Sequence, residues 1–159
     1  MTQDITIEVC IDSVQSAIAA EQGGANRVEL CDNLFEGGTT PSAGAIAIAR
    51  KSINIGLHVM IRPRGGDFYY SDIEFECMKK DIEIAKDLGA DGVVFGLLTQ
   101  DGQIDKVRTQ ELATLASPLK VTFHRAFDMT ADPLQALEDI IAIKQISRLL
   151  TYGQEKSAY

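Results

Sequence analysis

Apolar and polar residues alternate at the start of the chain. Ile5, Ile7, Val9 and Ile11 fall on one side and Thr6, Glu8, Cys10 and Asp12 on the other, the period of a strand. Residues 13–22 change to helical spacing through Val14, Ala17, Ile18 and Glu21, and Gly23-Gly24 ends that helix. Alternation returns at residues 27–31, where Val28 and Leu30 oppose Glu29 and Cys31. A loop rich in glycine then leads, through Pro41 and Ser42, to a short helix carrying Ile46, Ala49 and Arg50. A third strand has Leu57, Val59 and Ile61 on one face and His58, Met60 and Arg62 on the other. Pro63 closes it, because proline lacks the donor the ladder needs.

Ser71 and Glu74 have the spacing of a capping box, which predicts a helix from there to Leu88. Residues 92–96 form a short strand whose two glycines leave space beside it. A polar loop, a helix over residues 107–116 and a fifth strand over residues 120–124 follow. Asp132-Pro133 opens a helix with Leu134, Leu137, Ile140 and Ile141 as its buried stripe, and residues 148–151 make a sixth strand. A last helix is expected to begin at residue 155.

Six strand-then-helix units joined by short turns predict a parallel α/β sheet with crossover helices. An open doubly wound sheet buries both faces under helices, so its strands read almost wholly apolar. These strands keep acids, histidines and cysteines on one face, which suits the inside of a (β/α) barrel of the TIM type. Residues 1–159 are therefore read as a single barrel domain containing about six of eight units. Strands one and six are expected to be open edges that promote self-association.

Composition narrows the function. The chain has 159 residues, 45% hydrophobic and 24% charged, and a net charge of -8. That balance argues against nucleic acid and anionic membrane as partners and leaves a small, locally held anion. No apolar run approaches the roughly 20 residues of a membrane span, and no signal-like segment precedes the first strand, so a cytoplasmic location is expected. Three cysteines without tight spacing predict free thiols. A lone Arg-Gly-Gly in an acidic, ordered setting does not make an RNA-binding element.

Several stretches together resemble the CutC family: residues 8–13, 27–31, 36–42, the His-Val-Met-Ile-Arg-Pro-Arg-Gly-Gly-Asp run at 58–67 and Thr-Phe-His-Arg-Ala-Phe-Asp at 122–128. The resemblance implies a cytoplasmic copper homeostasis protein with a TIM-type barrel. Family members continue through strands seven and eight, so the chain is expected to be C-terminally truncated relative to them, and an inactive truncated product is one reading. Tyr152 stands where the family has a small residue.

Cys10 and Cys31 occupy matching places on strands one and two. Thiolates are soft ligands that suit Cu(I), and the resemblance assigns these two the copper-ligand role; the bland alternative is that both are small buried residues. Met60 is a candidate third ligand, and Cys77 is read as packing. Glu8, Glu29, His58, Arg62, His124 and Arg125 are a second constellation. They read either as ion pairs filling a barrel or as the pocket of an enzyme acting on a small anionic metabolite. On the enzyme reading Arg62 and Arg64, with Arg125 more weakly placed, grip the anion, and Glu29 or His124 carries the proton.

Overall fold

The computed structural model describes residues 5–157. Its elements run β1 (Glu8–Ile11), α1 (Val14–Gln22), β2 (Arg27–Leu30), α2 (Ala43–Ser52), β3 (Gly56–Met60), α3 (Asp72–Asp87), β4 (Gly92–Phe95), α4 (Lys106–Ala116), β5 (Lys120–Phe123), α5 (Pro133–Ala142) and β6 (Ile146–Leu149), with short 3-10 turns at Leu34–Glu36 and Arg125–Met129. Every neighbouring pair of strands is parallel, in the order β1-β2-β3-β4-β5-β6. This is the TIM-type succession the sequence predicts, open between β1 and β6.

The two faces of the sheet divide as the alternation requires. Val28, Leu30, Leu57, Val59, Ile61, Val93 and Phe95 point outward and pack with Ala17, Ile46, Ala49, Met78, Ile82 and Leu112 of the helices in one cluster. Each large aliphatic side chain buried there contributes roughly 1.5–3 kcal/mol relative to exposure. The opposite face carries Glu29, His58, Arg62, Thr122 and His124, none more than 4% exposed. Most of this buried polar set is satisfied from within, but Arg62 Nε and His124 Nε2 have no partner among the described residues.

Side chains start the helices. Ser13, Ser42, Asp105 and Asp132 each accept a backbone N–H of the first turn. Ser71 and Glu74 form the expected capping box, Ser71 N–H donating to Glu74 Oε2 at 2.7 Å and Glu74 N–H to Ser71 Oγ at 3.3 Å.

Three expectations need correction. The alternation from Ile5 exceeds the strand: β1 begins at Glu8, and Ile5 and Ile7 are 85% and 54% exposed, for β1 has a strand on one side alone among the described residues. In α5 the buried residues are Ala136, Asp139 and Ile140, whereas Leu134 and Ile141 are exposed and Leu137 sits at the margin. Helical spacing marks an apolar stripe but does not say which part of it a neighbour covers. Residues 155–157 are bends, and the remainder of the predicted last helix lies outside the described residues.

Candidate metal centre

The C-terminal ends of the strands and the loops beyond them enclose a cavity of about 500 Å³. Its walls take Glu8 and Cys10 from β1, Glu29 from β2 and Met60 from β3. Arg62, Phe68, His124, Arg125, Met129, Leu150 and Tyr152 come from the segments that follow β3, β5 and β6.

On one wall Cys10 Sγ lies 3.7 Å from Cys31 Sγ, and Cys31 Sγ lies 3.8 Å from Glu29 Oε1. The ligand atoms of Cys10, Glu29 and Cys31 all fall within 4.8 Å of one another. Register brings this about with one change from the expected matching positions. Cys10 stands level with Glu29, and Cys31 is one inward step further, held to β1 by its N–H bond to Ile11 O at 2.8 Å. Cys31 is 1% exposed and Cys10 is exposed, so the pair has one buried and one accessible sulfur. Met60 packs on Cys31 and Val94, and Cys77 is on the exposed side of α3.

The two thiols differ electrostatically. A hydrogen bond from Cys31 lowers the Cys10 pKa against the opposing pull of burial and the nearby acids. Holding that bond, and burial, raise Cys31. Glu29 is pushed up to about 7, first by burial and then by the charge of Glu8.

Below the cavity a polar network fills the barrel. Glu8 pairs with Arg27, Arg148 Nη2 donates to His58 Nδ1 at 2.9 Å, and Arg148 Nε donates to Thr122 Oγ1 at 3.0 Å. Burial and then the Arg148 charge push His58 down to about 4, so it is a neutral acceptor. Of the second constellation, Glu8 and His58 take part in this network. Gly92 makes room for the ring, since a Cβ there would lie 2.8 Å from His58 Cε1.

At the other wall Arg62 is buried and donates to Glu36 O at 2.6 Å, Gly38 O at 2.9 Å and Gly66 O at 2.8 Å. It thereby clamps the loops after β2 and β3. Its guanidinium carbon lies 4.9 Å from the Phe68 ring centre, and the His124 ring centre is 5.0 Å from the same ring. His124 Nδ1 accepts Ala126 N–H at 3.2 Å, and burial followed by the Arg62 charge pushes its pKa down to about 3. Gly96 is required beside it, as a Cβ would lie 2.6 Å from His124 Nδ1.

The structure does not bring Arg64 to the cavity with Arg62. Arg64 donates to Glu74 at 2.6 Å and to Asp67 at 3.0 Å, and so ties its loop to the start of α3. Arg125 does reach the rim, 3.8 Å from the Tyr152 ring centre, but Asp128 pairs with it at 3.0 Å. Asp128 caps no helix; it accepts the N–H groups of Tyr152 and Gln154 and so fastens the exit of β6. Phe68, Met129 and Leu150 were not foreseen, being loop and strand-end apolar residues with no signal of their own. Arg148 was foreseeable only from strand parity, which the irregularity between Val121 and Thr122 disturbs.

The CutC family model matches residues 5–159. A family protein CutC of Chromobacterium violaceum is 61% identical over 155 residues, 98% of this chain and 62% of that protein. The human copper homeostasis protein cutC homolog is 57% identical over 152 residues, 96% of this chain and 55% of that protein. The solved structure of CutC from Streptococcus agalactiae superposes with a TM-score of 0.89 at 36% identity, covering 96% of this chain and 75% of that one. The chain thus spans about six tenths of the length of the curated relatives it matches.

Proposed function

The chain belongs to the CutC family, and from that premise we propose that it acts in copper homeostasis by binding one Cu(I) ion between Cys10 and Cys31. The observation that carries this reading is the sulfur pair, 3.7 Å apart, with one member opening on the cavity. At a metal–sulfur bond of roughly 2.3 Å, the length zinc thiolates adopt, both sulfurs reach one ion without backbone movement. Two thiolates are a soft set that favours Cu(I), and a zinc site would call for two further ligands beyond them.

The residues supply the rest of the chemistry. Cys10 is the exposed sulfur and meets the ion first. Metal binding expels the proton of Cys31, and Glu29 Oε1 at 3.8 Å is placed to take it. A reducing, cytoplasmic setting keeps such a pair as thiols, and among the described residues no helix is long and apolar enough to cross a membrane. The free edges of β1 and β6 support self-association when the chain stands alone.

Anaerobic Cu(I) titration against a chromophoric competitor tests the assignment. One equivalent is expected in the wild type and in Cys77→Ser, and none at comparable affinity in Cys10→Ser or Cys31→Ser. Equal binding by all three variants would overturn it.

A further inference from the structure

The same cavity holds two buried groups whose capacity the fold does not use. With His124 Nδ1 accepting from Ala126, the neutral ring carries its proton on Nε2, and this N–H has no partner among the described residues. Arg62 is 4% exposed, and no carboxylate among the described residues forms an ion pair with it. Three loop carbonyls take three of its four Nη protons and Nε–H is left over; the Tyr70 hydroxyl feels its charge but makes no hydrogen bond of normal geometry with it. A buried cation answered by carbonyl dipoles and one aromatic ring, with no carboxylate, is costly, and a buried donor without an acceptor adds to that cost. Both groups line the same cavity, and the half-buried Phe68 ring, on a loop, is the side chain that rests on both.

Charge and lining select the ligand. Arg125 is paired with Asp128 and the buried His124 ring is neutral, so Arg62 is the cation of this lining that no carboxylate among the described residues pairs. The lining also carries Glu36, which no cation among the described residues pairs and which repels a second negative charge. Met60, Phe68, Met129 and Leu150 supply apolar surface, and the volume lies in the range of small-molecule sites.

We propose that this end of the cavity binds the carboxylate of a small organic monoanion, one oxygen accepting from His124 Nε2–H beside the Arg62 guanidinium while the Phe68 ring yields. A neutral imidazole donor next to a fixed cation is an arrangement suited to a carboxylate or to a carbonyl oxygen that gains negative charge. The site shares its cavity with the sulfur pair but uses neither sulfur.

The test titrates the copper-free chain with butyrate and, in parallel, with inorganic phosphate, following melting temperature and the imidazole ¹H–¹⁵N signals. The chain has two histidines, so His58→Gln identifies the His124 signals by difference. Butyrate is expected to raise the melting temperature and shift the Nε2–H resonance, with phosphate clearly weaker. His124→Asn keeps an oxygen for Ala126 N–H but lacks the Nε2 donor, and is expected to lose roughly tenfold or more in butyrate affinity, the effect of one hydrogen bond to a charged group. Cys77→Ser, on the exposed side of α3 and away from the cavity, is expected to bind butyrate as the wild type does. Absence of butyrate binding, phosphate binding equal to it, or undiminished affinity in His124→Asn each overturns the proposal.

Discussion

Acidification from pH 7 to pH 5 is expected to weaken the folded chain through His124, and the size of the effect follows from its burial. The ring is 4% exposed and stacks near Arg62 and Phe68, so its pKa falls from 6.5 to about 3, burial being the larger cause and the Arg62 charge the second. A depressed histidine contributes stability that is complete above its unfolded pKa and is lost as pH falls towards the folded one. At pH 5 the unfolded chain has taken up the proton and the folded chain has not. The gap between pH 6.5 and pH 5, at ~1.36 kcal/mol per pH unit, amounts to about 2 kcal/mol. His124→Asn removes this contribution and leaves the others: His58, which acts in the same direction, and Glu29, which acts in the opposite one. Urea unfolding of both proteins at pH 7 and pH 5 measures it. The wild type should lose about 2 kcal/mol more than the variant over that interval. Parallel losses in the two proteins would refute the argument, since a ring that titrates normally has neither the burial nor the neighbouring cation assigned to it.

Glu29 carries the contrary sign: its pKa is raised to about 7, so ionising it costs the folded chain stability as pH rises from 4.5, reaching about 3 kcal/mol above pH 7. Glu29→Gln should therefore unfold at higher urea concentration than the wild type at pH 8.5 but not at pH 4, and coincident curves at pH 8.5 would contradict the burial of its carboxylate. Gly96→Ala places a methyl group 2.6 Å from His124 Nδ1 and 2.9 Å from Ala126 Cβ. Overpacking of this kind costs roughly 1–3 kcal/mol, and a melting temperature equal to that of the wild type would mean that the ring is not held where it is drawn.

Much of the fold was legible in the residues because it rests on local rules. Alternation at Arg27–Leu30 and Gly56–Met60 marked the strands, and Ser71 with Glu74 marked the start of α3. The polar face of those same strands separated a barrel from a doubly wound sheet, since buried acids and histidines need a common interior. The nearness of Cys10 and Cys31 was readable for the same reason: both lie on the inward parity of neighbouring parallel strands.

Parity and propensity say nothing about where a long side chain ends, and there the tertiary structure alone decided. Arg62 and Arg64 are two residues apart and chemically alike, yet one is clamped by three carbonyls at the cavity and the other is drawn to Glu74 and Asp67 at the surface. Arg148 reaches across the barrel to His58, ninety residues away in sequence, and makes that member of the polar constellation a neutral piece of the filling. The unpartnered Nε2–H of His124 depends on Ala126 N–H having taken Nδ1 and on Phe68 shielding the ring. Burial and competing hydrogen bonds set the chemistry of each group, and both are properties of the packed chain, whereas strands, caps and inward faces follow from the order of residues alone.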